Sequence, residues 1–422
     1  MRRTSEISGF YKLTPAERLK VVKEFANLTD DDVRTLQSTG ALPIDQANRM
    51  IENVIGVMPV TLGIAVNFLI NGRDYLIPMA IEEPSVVAAA GNAAKIARVR
   101  GGFTTSSTGP VMIGQIQTAG VKDPHGARMA IFAAKNQIIE KANEQDPVLV
   151  SSGGGARDLD TKVIETQAGS MVITELFVDC RDAMGANAVN TMAEAVAPII
   201  EAITGGRVYL RIISNLATKR LMRARAIFEK EALGGEDVVD GIIAAYAFAA
   251  ADPFRCATHN KGIMNGVTAV VLATGNDTRA VESGAHAYAS ITGRYRPLTT
   301  WEKNSDGHLV GCIELPVAVG LIGGATAVHP VAKLAKKILG VKTATELGEV
   351  IAAVGLAQNL AALRALATGG IQRGHMKLHA RNVAAMAGAA GNIVDRVAEA
   401  MVKERKIRLD RARELLDQLT KK

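Results

Sequence analysis

The sequence predicts an α/β (α+β) protein, and three observations carry that reading. Between about residues 111 and 213 the pattern runs strand, helix, two strands, helix, strand, a βαββαβ unit of about 100 residues. On either side, paired apolar runs joined by Asn-Gly or Asp-Gly turn signals alternate with Ala-rich helical stretches. From residue 369 onward only helical patterns remain. At 422 residues the chain is longer than one ordinary core, and roughly 100 to 200 residues per domain implies two or three.

Apolar residues make up 48% and charged residues 22%, which excludes a disordered chain. Aromatics are only 4%, so closely approaching helices are expected in place of a core of large rings. Cys180, Cys256 and Cys312 are far apart and odd in number, against a disulfide framework or a metal site and in favour of a reducing, cytoplasmic setting. The net charge of +7 is spread along the chain without interleaved aromatics. That pattern points away from nucleic acid and toward a ligand carrying several phosphates. The N-terminus lacks an apolar signal segment, and no run approaches the roughly 18 apolar residues of a bilayer span, so no membrane insertion is expected.

In chain order, Thr14-Pro15-Ala16-Glu17 is a capping box opening a helix to Ala26. Short helices follow at Asp30–Gln37 and Ile44–Ile55, the latter ended by Gly56. Val60–Ile70 and Leu76–Ile81 form a hairpin across Asn71-Gly72, and Pro78 makes the second run either an edge strand or an irregular one. Glu82-Glu83-Pro84-Ser85 leads into a helix over Val86–Val99. The glycine-rich stretch from Gly101 to Pro110 reads as a domain crossover. The βαββαβ unit, ferredoxin-like in its order, follows: strand Val111–Gln117, helix Asp123–Asn143, strands Thr161–Thr166 and Ser170–Val178, helix Ala188–Thr204 and strand Arg207–Ile213.

Lys219–Lys230 reads as helical and charged, and Glu236–Ala251 as an Ala-rich helix. A helix from Gly262 to Thr274 follows, with Lys261 at its start. Another helix begins at Asp277. Tyr295–Glu302 and His308–Glu314 pair as a hairpin, and a glycine loop at Gly320–Thr326 precedes helices at Pro330–Leu339 and Thr345–Ala367. Gly369-Gly370 makes a hinge before the C-terminal helices, which read either as a mobile flap carrying His375 or as a docked terminal pair.

Several of these residues have two readings. One of Glu82 and Glu83 should face inward, where burial among apolar side chains would raise a carboxylate's pKa and fit it to donate a proton. Alternatively, the carboxylate merely complements the helix that follows. Lys261 would need a carboxylate partner if pressed into its apolar helix, and Asp277 is either that partner or a simple N-cap. No GxGxxG follows a strand, but Asp182–Asn187 puts small residues at a helix N-terminus, where free N–H groups can hold a pyrophosphate. His375 and His379 lack the glutamate of a zinc motif, and no metal site is expected.

Seven motifs, ENVIG at 52–56, EEPSVVAAA at 82–90, DAMGAN at 182–187, HNKGIMNG at 259–266, ATGND at 273–277, GLIGGAT at 320–326 and QRGHMKLHAR at 372–381, occur in one order. Together they resemble the class II 3-hydroxy-3-methylglutaryl-CoA (HMG-CoA) reductases over essentially the whole chain. The resemblance implies a large substrate-binding domain interrupted by a ferredoxin-like dinucleotide-binding domain, plus a C-terminal helical flap. The corresponding segments are 1–108 and 216–370 for the large domain, 109–215 for the small one and 371–422 for the flap.

It also implies reduction of HMG-CoA to mevalonate and CoA by two hydride transfers from NADH or NADPH, with NADH slightly favoured. By motif matching, Glu83, Lys261, Asp277 and His375 are catalytic, and Ser85, Arg255 and Asn265 bind substrate. Asp182, Met184, Gly185, Asn187 and Asn215 line the dinucleotide site. Asp146 is a candidate for the ribose 2′ position, and Lys141 or Arg157 for a 2′-phosphate. A homodimer or an assembly of dimers is implied. The alternative reading is a lyase or aldolase using Lys261 as a Schiff-base nucleophile on an acyl-CoA.

Overall fold

The computed structural model describes residues 4–369 and 372–420, the side chains of residues 372–378 excepted. Its strands, in chain order, are β1 (Leu62–Ile70), β2 (Arg73–Ala80), β3 (Phe103–Ser107), β4 (Val111–Ala119), β5 (Gly155–Thr166), β6 (Gly169–Asp179), β7 (Arg207–Ser214), β8 (Leu221–Phe228), β9 (Thr299–Lys303) and β10 (Leu309–Pro316). They form a six-stranded sheet, β2-β1-β3-β8-β10-β9, and a four-stranded sheet, β5-β6-β4-β7. The smaller sheet is antiparallel throughout and carries the βαββαβ connectivity expected from the sequence.

The first hairpin turns at Asn71 (φ 48°) and Gly72 (φ 77°), the two positive values that a type I′ turn requires. β2, with Pro78, lies at the sheet edge, where the missing N–H costs no ladder bond. Both Thr14 and Thr29 make the capping box of their helices. Helices Pro253–Ala273 and Ala344–Thr368 pack across the large sheet. At Gly266 an added Cβ would stand 2.9 Å from Gln358 Cβ, so only a glycine lets these two helices approach as they do.

Few aromatics are present, yet four form a row across the large sheet: Phe68, Phe103, Phe228 and Trp301, with successive ring centroids 5.7, 6.5 and 5.8 Å apart. Each such pair contributes about 0.5–1.5 kcal/mol beyond its buried area.

Several expectations are corrected. The stretch after Gly101 is not all crossover, because Phe103–Ser107 is an inner strand held by Phe103 in the core. Lys219–Lys230 is not helical: Leu221–Phe228 is β8, with Met222, Ala224, Ala226 and Phe228 buried and Arg225 exposed between them. Its alternation of period two identifies the strand, and Arg223 stands opposite Glu314 on β10.

The predicted helix to Ile55 stops at Ala47, and Ile51, Ile55 and Met58 are exposed beyond it. Pro253, not Gly262, begins the helix that carries Lys261, with Asp252 as N-cap; Lys261 is therefore mid-helix. Helix Ala344–Thr368 is long and apolar enough to cross a membrane, contrary to the expectation that no run would be. Of its apolar window, 67% is buried inside the protein.

The described C-terminal residues form helices Gln372–Met386, Asn392–Glu404 and Leu409–Thr420. They share an apolar cluster of their own built on Val383, Val397, Met401 and Leu415.

Candidate active site

Within helix Pro253–Ala273, Lys261 and Asn265 lie one turn apart and so on one face. The chain leaving β2 brings Glu83 to that face. Lys261 Nζ donates to Glu83 Oε2 at 2.6 Å, and Asn265 Nδ2 donates to the same oxygen at 3.2 Å. The lysine and glutamate side chains are 59% and 34% exposed. A pair this open adds at most about 1 kcal/mol to stability, so the fold does not depend on it, whereas a ligand can reach it.

Of the two adjacent glutamates, Glu82 is exposed and Glu83 is half-buried, the orientation expected for a site at Glu83. The environment differs from the apolar one anticipated, because Glu83 meets an ammonium and an amide.

Ser85, two residues on, has φ 74° and caps helix Val86–Arg98 without a side-chain hydrogen bond. A left-handed non-glycine residue costs about 1 kcal/mol or more. Its hydroxyl has no described partner and is available to a ligand. Arg255 spends its backbone N–H on the Asp252 cap, and its guanidinium has no carboxylate partner among the described residues.

A buried network seats this helix from behind. His259 Nε2 meets Thr299 Oγ1 at 2.8 Å, and both Thr299 Oγ1 and Trp301 Nε1 donate to Asn359 Oδ1. Asn260 donates to the Arg296 carbonyl and accepts from Leu298 N–H. Burial, with Arg255 adding to it, pushes the His259 imidazole down to about 3, so it is neutral and structural. Burial pushes the Cys180 and Cys256 thiols up to about 12 and about 11, which leaves neither poised as a nucleophile.

Asp277 is not the partner of Lys261 in this structure. Its Oδ1 accepts from the N–H groups of Arg279 and Ala280, capping helix Thr278–Ala289, and its Oδ2 takes the Arg279 guanidinium at 2.9 Å. The cap satisfies helix-end donors that would otherwise be orphaned, and Glu83 supplies the lysine's counter-charge. The neighbouring Asn276 Oδ1 holds Gly320 N–H at 2.7 Å, so Asp277 stands next to the GLIGG loop.

That loop meets the DAMGAN stretch. Leu321 N–H donates to the Asp182 carbonyl, Ala344 N–H donates to Asp182 Oδ1, and Ala183 bridges to Ile322. Gly185 (φ 108°) begins helix Ala186–Thr204 with no side-chain cap, leaving the first-turn N–H groups open to an anion. Met184 is half-buried and Asn187 exposed. The Asn215 carbonyl packs on Gly284 of the Asp277-capped helix. Asp182, Met184 and Gly185 thus lie together before the open helix N-terminus, while Asn215 lies against the Asp277-capped helix.

Asp146 caps the short helix Pro147–Ser151 through one oxygen. Of the alternatives for a 2′-phosphate, Lys141 pairs with Glu144, while Arg157 and Arg181 both donate to the Gly153 carbonyl. The His375 side chain lies outside the described residues; its helix does not. Among the described residues no group of three or more His, Cys, Asp or Glu could hold a metal.

Sequence reasoning missed Arg220, Asn276 and Asn359. Arg220 was hidden by the helical reading of its segment, Asn276 lies inside the ATGND motif without a role of its own assigned there, and Asn359 carries no signal in sequence spacing.

Comparison with known proteins extends this geometry. A family model described as hydroxymethylglutaryl-coenzyme A reductase matches residues 14–380. A 3-hydroxy-3-methylglutaryl-coenzyme A reductase of Archaeoglobus fulgidus is 65% identical over 416 residues, 99% of this chain and 95% of that protein. A probable enzyme of the same name from Borreliella burgdorferi is 39% identical, covering 82% of this chain and 80% of its own. Among solved structures, the class II 3-hydroxy-3-methylglutaryl-CoA reductase of Streptococcus pneumoniae bound to NADPH matches with a TM-score of 0.82 and 39% identity, over 97% of this chain and 100% of that one.

Proposed function

This chain belongs to the hydroxymethylglutaryl-coenzyme A reductase family, and on that premise we propose how its own residues carry the reaction. The function is NAD(P)H-dependent reduction of HMG-CoA to mevalonate and CoA. The observation that carries the site assignment is the Lys261–Glu83–Asn265 contact, an open cation, carboxylate and amide on one helix face.

A reduced nicotinamide supplies hydride twice. Its phosphates fit the open N–H groups at Gly185–Asn187, with Asp182, Met184 and Asn215 shaping the site. Asp146 is proposed at the ribose 2′ position, where a carboxylate favours NADH. Carbonyl reduction places negative charge on oxygen, and the Lys261 ammonium stabilises that charge more in the transition state than in the ground state. Protonated Glu83 is proposed to donate to that oxygen as mevaldehyde becomes the alcohol, which leaves the carboxylate that accepts from Lys261 Nζ in this structure. Asp277, beside the GLIGG loop, is proposed to complete the charge balance of the site once it is closed.

Arg255, with no carboxylate partner among the described residues, is suited to the substrate carboxylate, and Ser85 and Asn265 to its polar oxygens. Between the hydride steps a CoA thiolate leaves. His375, five residues after Gly370 in the sequence, is proposed to protonate it, since an imidazole titrates near neutrality.

A homodimer, or an assembly of dimers, is supported by the exposed Ile51, Ile55 and Met58 around the ENVIG motif, an apolar surface of the kind that interfaces cover. The domain limits 1–108, 109–215, 216–370 and 371–422 and a cytoplasmic location are proposed with it. Incubation with HMG-CoA and each reduced nicotinamide tests the reading: oxidation of NADH or NADPH supports it. Borohydride trapping of substrate on Lys261 without nicotinamide oxidation would establish the Schiff-base alternative instead.

A further inference from the structure

Arg220 is the one Lys, Arg, Asp or Glu that is fully buried among the described residues, with 0% exposure. It sits where the chain returns from β7 to β8, and none of the reaction steps above uses it. A buried guanidinium is costly unless it is compensated, yet Arg220 forms no ion pair with any described residue. Its compensation is three backbone carbonyls. Nη1 donates to Ala183 and Met184 at 3.1 Å each, Nη2 donates to Val319 at 2.5 Å, and Nε has no partner.

Those carbonyls belong to two loops. Ala183 and Met184 immediately precede Gly185 and the uncapped helix Ala186–Thr204, and Val319 immediately precedes Gly320. At Gly320 an added Cβ would lie 2.6 Å from Met184 N, so the loops are in direct contact. Arg220 also accepts Val317 N–H through its own carbonyl. One planar fork therefore ties the DAMGAN stretch to the GLIGG stretch at the crossover between the sheets. A lysine, with its donors at a single point, cannot span three carbonyls on two loops.

We propose that Arg220 is a positioning residue for the dinucleotide: it fixes Ala183–Gly185 against Val319–Gly320 so that the first-turn N–H groups of helix Ala186–Thr204 face the cofactor phosphates. The inference rests on the reading of DAMGAN as the dinucleotide site. The buried positive charge adds to the field of the helix N-terminus, which favours an anion at the same place.

The test uses the full-length protein with Arg220→Lys and Arg220→Gln, measuring dissociation constants for NADH and NADPH by nucleotide fluorescence and for HMG-CoA by calorimetry without nucleotide. Both variants should weaken nucleotide binding by about tenfold or more, equivalent to roughly 1.4 kcal/mol, with Gln worse than Lys. HMG-CoA binding should stay within about threefold, since its proposed ligands lie on other elements. Unchanged nucleotide affinity, or equal loss for both ligands, would overturn the positioning role.

Should both variants fail to fold, Gly320→Ala carries the test, because it pushes on Met184 from the opposite loop. It should raise the KM for nucleotide and spare that for HMG-CoA, and an unaltered nucleotide KM would overturn the proposal. If the unsubstituted protein binds neither nucleotide, the dinucleotide reading falls and the proposal with it.

Discussion

Replacing Lys261 by alanine should lower kcat by roughly 10²–10³-fold or more, the cost of removing one preorganised oxyanion donor, while leaving the fold nearly intact. The structure separates the two effects. Lys261 is 59% exposed and its ion pair is with a glutamate that is 34% exposed, so the lost pair is worth at most about 1 kcal/mol. Alanine is the better helix former by a few tenths of a kcal/mol, which offsets part of that. Glu83, left without its cation, can be hydrated in place.

The assay is nicotinamide oxidation with HMG-CoA and, separately, with mevaldehyde, alongside a thermal melt. Both reductions should fall together because the same oxygen charge develops in each. Near-normal mevaldehyde reduction by Lys261→Ala would refute the oxyanion role, and so would an activity loss matched by loss of folded protein.

Other outcomes follow from the same geometry. Glu83→Gln should slow mevaldehyde reduction by about 10²–10⁴-fold, and an unchanged rate across neutral pH would remove Glu83 as the acid. His375→Gln should abolish thioester reduction and retain mevaldehyde reduction; equal loss of both would remove it as the thiolate's proton donor. Ser85→Gly relieves the left-handed strain, so the melting temperature should hold or rise while the KM for HMG-CoA increases about tenfold. A lower melting temperature with unchanged KM would contradict the role of the hydroxyl.

Buried His259, held near 3, is neutral in the folded protein but protonates near 6.5 when unfolded. The unfolded state therefore binds the extra proton between those values, and stability falls as pH drops below about 6.5, by about 2 kcal/mol from this group at pH 5. His259→Gln, measured by denaturant titration, should flatten that acid limb; an identical slope would show that other groups set it.

The parts of the fold that were legible in the sequence are those fixed by local chemistry. The capping box at Thr14, the Asn71-Gly72 turn and the βαββαβ order all follow from residues close in sequence. β8 was missed because its arginines and alanines suit a helix by composition, and only burial of the alternate residues against the sheet decides for a strand. β3 was missed because Thr104–Ser107 is polar, and neighbours on both sides make it a strand.

Within the candidate site, the facing of Glu83 over Glu82 could be anticipated as a choice between two, but its partner could not. The contact between Glu83 and Lys261 spans 178 residues, and no spacing rule reaches that far. Asp277 shows the opposite case, since the local N-cap reading is what the chain adopts. Arg220 is silent in sequence because its three acceptors are backbone carbonyls, which any residue supplies.

The account rests most directly on a stoichiometry. With HMG-CoA limiting, two molecules of NADH or NADPH should be oxidised for each CoA thiol released, and Lys261→Ala should release no CoA above background. Release of CoA with no nicotinamide oxidised, or with substrate trapped on Lys261 by borohydride, would contradict the reductase site assigned to Glu83, Lys261 and Asn265.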